Sequence, residues 1–280
     1  IGVEQASLYG HFLNRGNIRC NNALQRARKQ VAYLRSICAD PEGFPIDERG
    51  GPRVTSNFNP KTIAILELTR KILDEGEQTV IVCSRKGQTA TLERYLNDAG
   101  VRTSRIDSTV PAARHQHEAN MFKAGKTDVM LMGIKCAVSH SFPECPNLII
   151  GSLEYTYGSK HQAEGRVYRV NSKNPVTIFC VLHKNTIEET MFDIVATKED
   201  SSTICLRGRR VPKDYKPMNM DEILADTVEK FHLAERKTES ECSLEWPSLR
   251  KEIAAALERK RSGNRVEQEE KDAAMEEAVA

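Results

Sequence analysis

The chain has 280 residues, of which 39% are apolar and 29% are charged, so it can bury a full core in one large domain or in one domain with appendages. No apolar run approaches the roughly eighteen residues that a membrane span needs, and the opening IGVEQASLYG lacks the order of a signal peptide. The formal net charge is only +2, which does not by itself indicate nucleic-acid binding. We expect a soluble protein without a membrane partner and, because the sequence opens on Ile in mid-pattern, a fragment of a longer chain.

Eight cysteines are scattered along the chain, without a C-x-x-C pair and without histidines at zinc-finger spacing. Cys83, Cys136 and Cys180 lie in or beside apolar runs, where a thiol packs as a small hydrophobic group. We therefore favour reduced intracellular thiols and predict no metal site.

A helical pattern opens the chain and a loop follows it. Apolar and basic residues recur at helical spacing in residues 1–39, which predicts a helix docked on another part of the protein. The apolar face of this helix would carry Leu24, Ala27, Val31, Leu34 and Ile37. Residues 40–60 are rich in Pro, Gly and Asn, which indicates a linker. We assign residues 1–56 to a helical lead-in and linker.

Helices and short apolar strands alternate in residues 57–200, which we assign to one lobe. The predicted helices are KTIAILELTRKILDEG, Gln88 to Ala99 and Ala112 to Phe122, and the predicted strands are QTVIVCS, VRTSRI, DVMLMG, NLIIGS and VTIFCVL. Strands that are apolar throughout and separated by helices predict an α/β fold, a doubly wound parallel sheet with helices on both faces. Ligands of such sheets bind at the carboxyl ends of the strands.

The pattern changes in residues 201–280. The basic string LRGRRVPKDYK precedes two predicted helices, about Met220 to Glu235 and Pro247 to Lys260, and the acidic end EQEEKDAAMEEAVA. We interpret this region as a basic segment with a helical appendage that is partly loose.

The string QAEGRVYR, Gln162 to Arg169, is the candidate site. On a continuous helix Gln162, Arg166 and Arg169 would share one face, and Gly165 would permit close approach of a phosphate or another backbone. Two guanidinium groups on one face suit the charge that spreads over a γ-phosphoryl group during nucleoside triphosphate hydrolysis. The alternative is that both arginines pair with surface carboxylates.

Four blocks, in order over about residues 60 to 200, resemble the C-terminal motor lobe of the Swi/Snf-type branch of superfamily 2 helicase-related ATPases. These blocks are VIVCSRKGQTATLERYLNDAG, GVRTSRIDSTVPAARHQHEANMFKAGKTDVMLMG, QAEGRVYRV and NPVTIFCVLHKNTIEETMFD. The resemblance implies a RecA-like lobe that serves as the second motor lobe of an ATP-dependent DNA helicase or translocase, located in the cytoplasm or nucleoid of a prokaryote or phage host and otherwise in the nucleus.

Carried over onto this sequence, the resemblance implies that Arg169 is the arginine finger at the γ-phosphate, with Arg166 beside it. Gln162 and Gly165 would complete the ATP-binding set, and ATP with Mg²⁺ would lie between two lobes. The sequence contains no G-x-x-x-x-G-K-S/T loop and no Asp-Glu-x-His string. We therefore expect an N-terminal RecA-like lobe of the same full-length protein to hold most of the nucleotide, and this chain alone to be inactive.

Polar residues at predicted strand ends are the candidates for nucleic-acid contacts. Ser84, Arg85 and Lys86 follow the first strand and Lys135 follows the third, where donors can hold phosphates. The resemblance favours contacts with the backbone of double-stranded DNA, and the alternative is solvated loop charge. His140 is a further candidate contact, with a structural histidine as the alternative.

The sequence departs from the family's pattern at three places. His140 and Ser141 replace small residues of a glycine-rich turn, Val170 to Ser172 stand where Ile-Gly-Gln is usual, and Ser108 replaces a glycine. These departures indicate a divergent member, such as a viral or phage protein. We keep a catalytically inactive, nucleic-acid- or protein-binding RecA-like module as the alternative function, whereas the lack of a Gly-rich loop after the first strand disfavours an unrelated nucleotide-binding transferase.

Overall fold

The computed structural model describes residues 2–14, 22–45, 51–55, 58–136, 140–169, 172, 175–206, 219–235 and 245–279. The helices are α1 (Val3–Leu13), α2 (Ala23–Ala39), α3 (Pro60–Asp74), α4 (Lys86–Asp98), α5 (Ala112–Lys123), α6 (Tyr157–Glu164), α7 (Ile187–Leu206), α8 (Met220–Glu235) and α9 (Trp246–Val279). The strands are β1 (Thr79–Cys83), β2 (Thr103–Ile106), β3 (Val129–Gly133), β4 (Asn147–Ile150) and β5 (Thr177–Cys180). None of the described helices is long and apolar enough to cross a membrane.

The five strands form one sheet in the order β2-β3-β1-β4-β5, and every neighbouring pair is parallel. Register is fixed by pairs such as Val80 with Met130 on one side and with Leu148 on the other. The predicted parallel sheet is confirmed. β5 lies at the edge with Thr177 and Ile178 exposed, because only one side of an edge strand has a neighbour.

Alternate side chains of the strands fill two cores, one on each face of the sheet. Ile81, Leu131 and Ile149 pack with apolar side chains of α3, α4 and α9 on the first face. On the second face, Val82 and Met130 pack with α5 and α6. Helices on both faces confirm the predicted doubly wound α/β fold.

A third core joins the N-terminal helices to α7 and α8. It includes Phe12, Leu34 and Met191, which confirms that the opening helical pattern docks on another part of the chain. Most of the predicted apolar face of α2 is buried, but Leu24 is 53% exposed, because the first turn of the helix projects beyond the packed surface.

A buried polar cluster connects these helices to the lobe. Lys61 Nζ lies 2.5 Å from Glu188 Oε1, whose other oxygen accepts a hydrogen bond from the His183 backbone N–H at 3.0 Å. Gln5 Nε2 donates to the Ile37 carbonyl at 2.8 Å and lies 3.2 Å from His183 Nε2. Burial, and then the charge of Lys61, hold the pKa of His183 well below its usual value, so the ring is neutral and its Nε2 accepts from Gln5.

The C-terminal region contains α8, as predicted, and a much longer α9. α9 begins at Trp246 and its backbone continues through the predicted acidic tail to Val279, because Glu, Lys and Ala are good helix formers. Leu249, Ile253 and Leu257 of α9 are buried in the first-face core. The predicted basic string is outside the described residues except for its first, Leu206, and the assignment of domain bounds stays a prediction.

The three cysteines in or beside the strands pack as protonated thiols, because burial raises the pKa of each. Cys83 is buried, whereas Cys136 and Cys180 are half-buried. Burial raises the pKa of the Cys83 thiol to about 12, which is in keeping with the interpretation of these residues as small hydrophobic groups.

Candidate arginine site and strand-end loops

The first three residues of the QAEGRVYR string belong to α6, and the remaining five follow the end of this helix. α6 ends at Glu164, and Gly165 is its C-cap residue, with its backbone N–H bonded to the His161 carbonyl at 2.9 Å. The expectation that Gln162, Arg166 and Arg169 share one helical face is therefore wrong. The two arginines belong to a turn after the helix, because glycine is a weak helix former and ends α6 there.

Gly165 does not provide open space for a ligand. A Cβ added there would meet the carbonyl oxygen of His161 at 3.3 Å, so the bare side of the residue faces the end of α6. Its φ of −64° is ordinary for any residue. Close approach of a phosphate at Gly165 stays a prediction that no contact in the described residues supports.

Arg166 is held at the base of the turn. It is only 9% exposed, and its Nε donates to the carbonyl of Gln162 at 3.1 Å. Burial, and then the neighbouring charge of Arg169, lower the pKa of this guanidinium. In the part of the chain that the structure describes, no carboxylate pairs with it.

Arg169 is exposed and contacts two serines. Its Nη2 donates to Ser141 Oγ at 2.9 Å, and its backbone N–H donates to Ser172 Oγ at 2.9 Å. The hydroxyl of Ser172 in turn donates to the carbonyl of Val167 at 2.8 Å. As with Arg166, its guanidinium has no ion pair with any described acidic residue.

The loop after β3 and the turn after α6 are bonded to each other. The Phe142 backbone N–H donates to the Arg166 carbonyl at 2.6 Å, one residue from the contact between Ser141 and Arg169. Two segments far apart in sequence thus form one surface around the arginine pair. The sequence identified His140 as a departure from the family's pattern and as a candidate nucleic-acid contact, and Ser141 only as a departure. Their place beside the arginines is a finding of the structure.

His140 is buried within this surface, with 9% of its area exposed. Its ring lies 6.4 Å from the ring of His115. Burial, and then the charges of His115, Lys123 and Arg166, lower the pKa of His140. The ring is therefore neutral near pH 7 and adds no charge beside Arg166, an environment typical of a structural histidine.

Ser84 and Arg85 are already engaged at the carboxyl end of β1. The backbone N–H and hydroxyl of Ser84 both contact Ser152 Oγ, at 2.7 and 2.9 Å. Arg85 Nη2 donates to the carbonyl of Ala32 in α2 at 3.4 Å. Burial, and then repulsion from Arg35, lower the pKa of Arg85. The docking of α2 thus turns Arg85 away from the open loop that the sequence predicted.

Lys86 and Lys135 are the exposed cations at these strand ends. Neither has a hydrogen bond or an ion pair with another described residue. They follow β1 and β3, which are parallel neighbours in the sheet. Both lysines therefore lie on the side of the sheet where the carboxyl ends of the strands meet. Of the predicted nucleic-acid contacts, these two are open to a phosphate.

Asp40 is a residue near this edge that the sequence did not single out. A Cβ added at Gly87, in the first turn of α4, would lie 1.5 Å from Asp40 Oδ2. The carboxylate therefore rests against the amino end of α4, where a negative charge is favourable. Within the described ranges, no group of three or more His, Cys, Asp or Glu side chains could hold a metal ion.

The five-stranded parallel sheet with helices on both faces has the architecture of a RecA-like lobe. Residues 61–171 match the family model described as "Helicase conserved C-terminal domain". The C-terminal part of the Fun30 ATPase domain has the same fold, with a TM-score of 0.59 at 12% identity over 85% of this chain and 96% of that one.

Two curated relatives extend the comparison. SWI/SNF-related matrix-associated actin-dependent regulator of chromatin subfamily A member 1 of Mus musculus is 24% identical over 202 residues, 69% of this chain and 19% of the relative. DNA excision repair protein ERCC-6-like of Homo sapiens is 26% identical over 135 residues, 47% of this chain and 11% of the relative. The chain thus aligns with about a fifth or less of these proteins. By these similarities the chain resembles the C-terminal RecA-like lobe of superfamily 2 ATPases of the Swi/Snf-type branch.

Proposed function

We propose that this chain is the second motor lobe of an ATP-dependent DNA helicase or translocase, with Arg169 as its arginine finger. The match of residues 61–171 to the helicase C-terminal domain model supports a motor lobe in general. The observation that carries the finer assignment is the pair Arg166 and Arg169, which lie close together without a carboxylate partner among the described residues. Two like charges in this state favour binding of an anion between or beside them.

The two arginines suit different parts of the task. Arg166 is buried and bonded to its own helix end, so it provides a fixed positive charge. Arg169 is exposed, and its guanidinium can reach a second surface. Stabilising the charge that develops on the γ-phosphoryl oxygens is the main part of catalysis in this reaction class.

ATP and Mg²⁺ would be held mainly by an N-terminal RecA-like lobe of the same full-length protein, because this sequence contains no phosphate-binding loop. This chain would add positive charge to that site and would be inactive by itself. The supporting feature here is the unneutralised charge of the arginine pair, which fits a polyphosphate.

The test is Arg169→Ala in a two-lobe motor that joins this lobe to an N-terminal RecA-like lobe. We expect DNA-stimulated ATP turnover to fall by roughly 10³ to 10⁵. Lys184→Ala, in the loop after β5, serves as the matched loss of one positive charge and should leave turnover close to that of the parent motor. Turnover of Arg169→Ala within a few-fold of the parent would favour the inactive binding module instead.

For the nucleic acid, we propose that Lys86 and Lys135 contact the phosphate backbone of double-stranded DNA. Their exposure at one edge of the sheet supports this, and backbone contacts of this kind carry no sequence information. An intracellular location on chromosomal DNA, in the nucleus of a eukaryote, follows from the same proposal, since the relatives are described as a chromatin regulator and a DNA excision repair protein.

A further inference from the structure

Arg169 is fixed at both its side chain and its backbone. Ser141 Oγ accepts from the guanidinium and Ser172 Oγ accepts from the backbone N–H, each at 2.9 Å. Ser172 also donates to the carbonyl of Val167, which closes the turn that carries the arginine. Both serines occur where the sequence departs from the pattern of the family.

The position of Ser141 is itself fixed. The next residue, Phe142, is almost fully buried, and its backbone N–H bonds to the Arg166 carbonyl at 2.6 Å. A hydroxyl anchored in this way can hold the side chain of Arg169 against its large rotamer freedom.

A hydroxyl partner has a different effect on an arginine from a carboxylate partner. It accepts one hydrogen bond without neutralising the positive charge, and the remaining N–H donors of the guanidinium stay available. A carboxylate at the same place would cancel the charge that a phosphate needs. The pairing of Arg169 with Ser141 therefore orients the guanidinium and preserves its ability to bind an anion.

We propose that Ser141 and Ser172 are positioning residues that hold Arg169 in the geometry required at the γ-phosphate. This inference rests on the proposed function, because it requires Arg169 to act on ATP. Ser141 directs the guanidinium, and Ser172 fixes the turn from which it extends. Preorganised groups of this kind contribute to rate because they are placed before the reaction begins.

The experiment measures steady-state ATP hydrolysis in the two-lobe motor with Ser141→Ala. We expect kcat to fall about tenfold, as for loss of a charge-assisted hydrogen bond, with little change in the KM for ATP. Ser141→Thr keeps the hydroxyl and should recover most of the rate. Ser172→Ala should lower kcat in the same way.

The matched control is Ser159→Ala on α6, whose hydroxyl is exposed and contacts only Thr156 among the described residues. It removes a serine hydroxyl near the site but not from Arg169, so kcat should stay at the parent value. Should Ser141→Ala fail to fold, Ser141→Cys removes most of the acceptor strength at nearly the same size and should show the same loss of kcat.

A double variant separates failure of this inference from failure of the proposed function. If Arg169 is the group that Ser141 positions, Arg169→Ala with Ser141→Ala should be no slower than Arg169→Ala alone. A large effect of Arg169→Ala, combined with a Ser141→Ala rate equal to that of the Ser159→Ala control, would overturn the positioning role only. A small effect of Arg169→Ala would overturn the proposed function itself. A Ser141→Ala defect confined to KM would also contradict positioning, because it indicates uniform binding of nucleotide.

Discussion

At the residue scale, burial controls the charge of His183. The ring lies in the polar cluster with Gln5 and Lys61 and is 3% exposed, and its pKa is well below the usual value because burial and Lys61 both disfavour the cation. The unfolded chain has an ordinary histidine pKa of about 6.5. Between the two pKa values the unfolded state binds more protons, so stability is fully present above pH 6.5 and is lost as the pH falls below it.

We therefore predict that the free energy of unfolding of this chain falls between pH 7.5 and pH 5.5, and that His183→Gln reduces this slope. His161→Gln, which changes an exposed ring on α6, is the matched control and should leave the slope unchanged. Denaturant unfolding at several pH values measures both. His140 acts in the same direction, so some slope should remain in His183→Gln, but a slope equal to that of the parent chain would refute the assignment.

At the element scale, the amino end of α4 and the turn after α2 fit together only because residue 87 is glycine. A Cβ at that position would meet Asp40 Oδ2 at 1.5 Å and Cγ at 2.4 Å. Gly87 itself has no unusual backbone requirement, so the limitation is one of space. The contact joins a helix of the N-terminal extension to the helix that follows β1.

Gly87→Ala should destabilise the chain by about 1–3 kcal/mol, the range for forced overpacking. In Gly158→Ala, on α6, the new Cβ meets nothing within 4 Å, so it should be neutral or stabilising by roughly 0.5–1 kcal/mol. Denaturant midpoints give both values. Adding Asp40→Ala to Gly87→Ala should recover part of the loss, and no recovery would show that the clash is not the cause.

The sequence predicted the elements of the lobe better than the contacts between them. Continuous apolar runs such as VIVC and MLM identify strands buried on both faces, and the parallel order follows from the helices between them. The end of α6 at Glu164 was missed, because the spacing of Gln162, Arg166 and Arg169 fits a helix equally well. The Arg166 carbonyl accepts a hydrogen bond from the backbone N–H of Phe142, in the loop after β3. The end of the helix therefore depends partly on a contact with a distant part of the sequence.

At the candidate site, too, the sequence predicted residue types better than the contacts between them. The residue types of the arginine pair could be recognised from their pattern, whereas the contact of Arg169 with Ser141 depends on the folding back of the loop after β3. The position of Arg85 was also beyond the sequence. Its place after a strand predicted a donor in an open loop. Arg85 instead bonds to the Ala32 carbonyl of α2, and no feature of the sequence indicates this contact.

At the scale of the whole molecule, the proposed contact with DNA depends on positive charge where the parallel strands end. Lys86 and Lys135 lie at the carboxyl ends of adjacent strands, and Lys71 and Lys126 lie on the amino-terminal side, before β1 and β3. All four are exposed. The pair Lys86 and Lys135 therefore carries the same charge as the pair Lys71 and Lys126, and the two pairs lie at opposite ends of the strands.

Lys86→Ala with Lys135→Ala should weaken binding to all duplex sequences alike and reduce the slope of log K against log salt by about 1.8, since each phosphate contact contributes about 0.9. The control pair, Lys71→Ala with Lys126→Ala, has the same net charge and should retain the slope of the parent. Titration of a labelled duplex at several salt concentrations gives the comparison. Equal slopes for the two pairs would exclude direct contact at the carboxyl edge.

The packing of α9 has a consequence for how the lobe is made. Leu249, Ile253 and Leu257 complete the core on the first face of the sheet, and Trp246 packs against Tyr95 of α4 with ring centroids 4.6 Å apart. Because α9 follows β1 to β5 in the sequence, it leaves the ribosomal exit tunnel after these strands during translation. Until then the nascent lobe presents an apolar strip on α3 and α4, a surface that chaperones bind and that promotes aggregation. The core on the first face of the sheet is therefore complete only when α9 has been synthesised.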